Sequence, residues 1–184
     1  MRSAAVLLLT GLSALAQMKP ASKPAPAATV VGTPTAARVS WQTLSDLEKG
    51  FDARLSSAGG ADPMVLLGNT RGLCLNGYGA IFTTDAELIG TPRITPFHQQ
   101  ITPAEKADTH KRKIEHLPLL KNAMLEMMRS AAAALKDLPA SDQIVVAVRI
   151  FYLPWEDTAG LPGQILMKAD RQGALAGNIQ VEEQ

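Results

Sequence analysis

Apolar residues recur at intervals of three and four from Trp41 through Leu44, Leu47, Phe51 and Leu55, the spacing of one buried helical face. Ser40 stands before this run as an N-cap, and Gly59-Gly60 ends it. The patterning then becomes strand-like, from Met64 to Leu75 and again from Tyr78 to Leu88, with Asn76-Gly77 at the join. That dipeptide is the strongest short signal for a two-residue hairpin turn. Gly68 and Gly72 interrupt the first arm, which predicts a bulge or a close approach of other atoms to the backbone.

Pro92 and Pro96 make Gly90 to Ile101 a loop, and Thr102-Pro103-Ala104-Glu105 opens a helix with a capping box and proline at its first position. Leu117, Leu120, Met124, Met127 or Met128, Ala131, Leu135 and Leu138 continue it as a stripe up to Pro139. Pro118 predicts a kink or break near His116 to Pro118, because it removes a backbone donor and crowds the preceding turn. In Gln143 to Leu153, Ile144, Val146, Val148, Ile150 and Tyr152 share one face, with Val145, Ala147, Arg149, Phe151 and Leu153 on the other. Both faces are largely apolar, as in an interior strand. Gln164 to Ala169 reads as a last short strand, and the polar tail after Asp170 as a frayed end or short surface turn.

The predicted order is α-β-β-α-β-β. Burying each amphipathic face against another gives an α+β fold, an antiparallel sheet of four to five strands with helices packed on one face. The two αββ halves occupy corresponding places, but no residue-level identity supports a duplication.

Upstream, residues 1–16 combine Arg2, an apolar stretch around Val6 to Leu9, and Ala14-Leu15-Ala16, the three-part pattern of a cleaved secretory signal. The stretch is shorter than the roughly 20 apolar residues needed to span a membrane. Residues 17–38, with Pro20, Pro24, Pro26 and Pro34, lack apolar periodicity and read as a disordered Pro/Ala-rich linker. Residues 39–184 are the single folded domain, exported to the periplasm or the extracellular space, with no transmembrane segment in the mature chain.

Composition narrows the partners. The chain has 184 residues with 18 basic and 17 acidic side chains, so it lacks the excess Lys and Arg that recognise nucleic acids or acidic membranes. The single cysteine, Cys74, cannot form an intrachain disulfide. Between Leu73 and Leu75 it reads as a small buried hydrophobe rather than a reactive thiol.

Several chemistries lack their residues. There is no Gly-x-Ser-x-Gly elbow, no Gly-x-Gly-x-x-Gly and no phosphate loop. His110 and His116 are six residues apart, whereas ligands sharing one helix face need three or four, so no metal site and no cofactor is predicted. Lys106, Lys111, Arg112 and Lys113 form a basic patch diluted by Glu105, Asp108 and Glu115, most simply a solvated helix face. Tyr152 to Thr158 delivers Trp155, Glu156 and Asp157 into a loop, where an aromatic beside carboxylates can stack a sugar or cradle a cation. The plainer reading has Trp155 covering the core while Glu156 and Asp157 face water. Arg71 and Tyr78, opposed across the hairpin, form a second polar-aromatic pair.

Two functions are compatible with this chain. The first is a non-catalytic module that binds a protein or small-molecule ligand or forms a homo-oligomer, served by the apolar faces of Gln143 to Leu153 and by the Met-rich stripe. The alternative is a small exported hydrolase or ligand-processing enzyme with a cleft between the 90–101 and 154–163 loops, where His98 would work with Glu156 or Asp157.

Overall fold

A computed structural model describes residues 39–184; the signal and linker segments read at 1–16 and 17–38 lie outside the described residues. Helix α1 (Trp41–Ser57) leads to strands β1 (Val65–Leu66), β2 (Arg71–Leu75) and β3 (Gly79–Glu87). Helix α2 (Pro103–Ala134), strands β4 (Gln143–Ile150) and β5 (Gln164–Asp170), helix α3 (Arg171–Ala176) and strand β6 (Gln180–Glu183) follow.

The sheet runs β1-β3-β4-β5-β6, with β2 also paired to β3. This corrects the expected antiparallel sheet and its order. The sheet is mixed, because β3 and β4 run parallel in register from Gly79↔Gln143 to Ala86↔Ile150. A parallel pair needs a long crossover, and the 32-residue α2 supplies it. The tail after Asp170 also differs from expectation. It forms α3, capped by Asp170, whose carboxylate accepts the Gly173 amide at 2.5 Å, and then β6 on the outer edge of β5.

Strands β1 and β2 are one arm broken by a bulge. Leu66 pairs with Ala86 and Arg71 with Thr83, so the four residues 67–70 face only Thr84 and Asp85. At Gly72 the close approach is real: an added Cβ would lie 2.7 Å from the Phe82 ring. The turn is longer than Asn76-Gly77 predicted, since Leu75 pairs directly with Gly79 and leaves three residues between them.

The capping box at Thr102 and Glu105 starts α2. The helix runs on through Pro118, so of the kink or break expected there the break does not occur. Pro118 and Ile114 are both exposed, so the carbonyl that loses its donor faces water, where the loss costs least.

The buried face of α1 (Leu44, Leu47, Phe51, Leu55), that of α2 (Leu120, Met124, Met127, Met128) and Ala174 of α3 share one core with Phe82, Ile144, Val146, Val148, Ile165 and Met167. Within it the Phe51 and Phe82 rings meet edge to face at 4.9 Å. The Met-rich stripe is therefore interior, with Met124, Met127 and Met128 at 0% exposure, and is not an interface as the sequence suggested.

Candidate functional site

The core takes every second residue of β3, β4 and β5. The residues between them form the other sheet face, which no described helix covers. Paired residues on neighbouring strands put their side chains on the same side, so the register lays this face out in rows. One row reads Arg71, Thr83, Ala147, Leu166, Glu182, and the next Leu73, Ile81, Val145, Lys168, Gln180. Leu73 and Leu75 are 43% and 46% exposed here, while Val145, in mid-row, is buried. The apolar second face of Gln143 to Leu153 thus lies on the side without a described helix.

The end of the face near the bulge is polar. Arg149 donates from Nε and Nη2 to the two carboxylate oxygens of Asp85, at 2.9 and 2.7 Å, a fork-on-fork pair. Hydrogen bonding to Asp85 holds the guanidinium charged beyond its ordinary range. Leu67, Asn69, Arg71, Thr83 and Thr84 complete a cleft of about 370 Å³ around this pair. Thr84 alternates to the core side between Phe82 and Ala86, and its hydroxyl is buried without a hydrogen-bond partner among the described residues. Arg71 is exposed on this face. Tyr78 is not opposite it, since Arg71 pairs with Thr83 and Tyr78 lies in the turn before β3.

Two amides at the β2 edge are occupied by side chains. Glu48 accepts the Gly72 amide at 2.7 Å and Asp52 accepts the Thr70 amide at 2.8 Å. Four residues of helix rise about 6 Å and two residues of strand advance about 6.6 Å, so two carboxylates one helical turn apart match alternate strand amides.

The 152–157 segment is a latch. Lys113 and Glu156, 0% and 2% exposed, form a buried ion pair. The ammonium lies 4.9 Å from the Tyr152 ring centroid, and the second Glu156 oxygen accepts the Leu153 amide at 2.9 Å. Tyr152 donates to the Pro162 carbonyl at 2.8 Å. Burial, then the Glu156 charge, push its phenol well above its ordinary range. Glu156 therefore does not face water, and Lys113 is no part of a basic patch; Arg112 is likewise drawn onto Asp62 at 2.5 Å. Asp157 is exposed, and its carboxylate accepts the Ala159 amide at 2.9 Å. Trp155 is half-buried, with its indole N–H lacking an acceptor among the described residues.

His98 stands 3.3 Å from Glu105, so the carboxylate beside it belongs to α2 and not to the 154–163 loop. The cavity at Asp157 is walled by Pro103, Lys106, Ala107 and His110 of α2 rather than by the 90–101 loop. His116 is buried, and its ring nitrogens lie 2.8 and 3.0 Å from the Arg112 and Asp62 carbonyl oxygens. Cys74 is half-buried against the core, and burial raises its thiol. Among the described residues no three His, Cys, Asp or Glu side chains are placed to share a metal ion, and no helix is long and apolar enough to cross a membrane.

Of the six residues singled out in the sequence, the structure joins Trp155, Glu156 and Asp157 in one turn and leaves Arg71, Tyr78 and His98 apart from them. Asp85, Arg149 and Glu182 were missed. A lone charge inside the apolar run Gln143 to Leu153 marked Arg149, whereas Glu182 was lost when the tail was read as a frayed end or short surface turn. Comparison with family models, curated proteins and solved structures finds no match to this chain.

Proposed function

We propose that this chain is an exported, non-catalytic binding or self-assembling module that works through the uncovered face of its mixed sheet. The observation that carries the reading is the one-sided packing. Each of the three described helices turns one apolar face into a single core, and the other sheet face presents Leu73 and Leu75 to solvent beside a charged cleft. An apolar patch rimmed by polar side chains is the usual mark of an interaction surface. Export is supported by the pattern of residues 1–16.

In the enzyme reading, Glu156 is taken up by Lys113 and by the Leu153 amide, which leaves Asp157 as the exposed carboxylate of the 154–163 loop. The test is light scattering after size exclusion, on the chain and on its Leu73→Lys variant, together with N-terminal sequencing of the secreted product. The expected result is association that Leu73→Lys abolishes without changing the thermal midpoint, and a mature chain starting at Gln17. A strict monomer indifferent to that substitution, retained in the cytoplasm, would contradict it.

A further inference from the structure

Arg71 and Glu182 end the same row of the uncovered face, one at each edge. Four strand spacings of about 4.8 Å put them about 19 Å apart, with Ala147 midway. Both are exposed, and neither makes an ion pair among the described residues. Their neighbours are taken up: Arg149 by Asp85 at 2.7 Å and Glu183 by Lys121 at 2.7 Å.

A cation and an anion equidistant from a central apolar residue make a self-complementary surface. Turning a second copy by half a turn about an axis along β4 lays Ala147 on Ala147, Thr83 on Leu166 and Arg71 on Glu182. In the next row Val145 meets Val145 and Ile81 meets the stem of Lys168. Arg149 approaches its own copy, but each is neutralised by its own Asp85. The same contact made twice is what a two-fold interface requires.

We propose that two copies of this chain associate face to face about a two-fold axis along β4, with Arg71 of each copy paired to Glu182 of the other. This rests on the reading of the uncovered face as the working surface and names its partner. The edges are poor routes to assembly. Glu48 and Asp52 occupy two amides along the β2 edge, those of Gly72 and Thr70, and β6 set against β6 would crowd Glu182 and Glu183, acidic charges that discourage edge pairing. The face suits aligned sheet packing, in which inner faces interdigitate about 10 Å apart. Five strands of four to nine residues, about 3.3 Å per residue and about 4.8 Å apart, offer about 500 Å², against roughly 800 Å² per partner in a standard interface. The dimer is therefore reversible and concentration-dependent.

Sedimentation equilibrium of the chain, of Arg71→Glu, of Glu182→Arg and of the double swap tests the pairing. Each single reversal replaces two attractive contacts by two repulsive ones and is expected to weaken the dimer by about tenfold or more. The double swap is expected to restore it to within a few-fold, with all four proteins equally stable to heat. A dimer broken by Leu73→Lys but unmoved by either reversal would overturn the pairing and keep the face. Single reversals that weaken the dimer without recovery in the double swap would also overturn it. A chain that stays monomeric while Leu73→Lys abolishes binding of another molecule would overturn the dimer and leave the module reading intact.

Discussion

The carboxylate of Glu48, on the polar side of α1, accepts the outward amide of Gly72 on β2 at 2.7 Å. One helical turn on, Asp52 does the same for Thr70 at 2.8 Å. An unpaired edge amide is a template for another strand, and here two of them are occupied from within the chain. Replacing Glu48 by Ala is expected to cost about 1–3 kcal/mol and to promote aggregation through the opened edge. Glu48→Gln, which keeps an acceptor, should retain most of the stability. Urea unfolding and light scattering of the two variants separate these effects.

Gly72 and Gly68 give a matched pair. A Cβ at Gly72 would come within 2.7 Å of the Phe82 ring and 3.3 Å of Glu48, whereas one at Gly68 meets nothing within 4 Å. Gly72→Ala is expected to lose about 1–3 kcal/mol by overpacking. Gly68→Ala should lie within about 1 kcal/mol of the parent, on the stabilising side, through reduced freedom of the unfolded chain. Equal losses in both variants would refute the register of the bulged arm.

Lys113 is expected to be the most costly single replacement outside the apolar core. Lys113→Met leaves the Glu156 carboxylate buried without its cation, an arrangement that costs about 3–5 kcal/mol. Adding Glu156→Gln removes the charge but keeps an acceptor for the Leu153 amide, and should recover more than half of the loss. The denaturation midpoints of the single and double variants decide between a latch and a dispensable ion pair.

Alkaline pH should loosen the same latch. Burial and the Glu156 charge raise the Tyr152 phenol above its ordinary 10.0, so the folded chain holds this proton more tightly than the unfolded one. That contribution is complete below about pH 10 and is lost as pH rises further. Tyr152→Phe should flatten the fall in stability above that pH. Thermal melts between neutral and strongly alkaline pH, with the tyrosinate absorbance followed in parallel, read both effects.

The local elements were legible because each carried its own periodicity and punctuation. Leu44, Leu47, Phe51 and Leu55 marked α1, Thr102 and Glu105 marked the start of α2, and the alternation from Ile144 to Tyr152 marked an interior strand. The direction of β4 relative to β3 was not legible, because apolar alternation carries no sign of parallel or antiparallel pairing; only the long α2 between them hinted at a crossover. Strand β6 was missed because Gln180 to Glu183 is exposed throughout and held by backbone bonds rather than by apolar burial. The site was misread for the same reason. Glu156 looked available in a loop, but its partner Lys113 lies 43 residues away, and the row linking Arg71 to Glu182 exists only once five strands are in register.

The most direct test of the central claim is a dilution series followed by methyl and amide NMR on the intact chain. If the uncovered face is the working surface, resonances of Leu73, Leu75, Ile81, Val145 and Leu166 should shift together with concentration, while exposed apolar residues on other surfaces, such as Phe97 and Leu119, stay fixed. Shifts confined to the 90–101 loop or to the outer side of α2, with the sheet face silent, would contradict it.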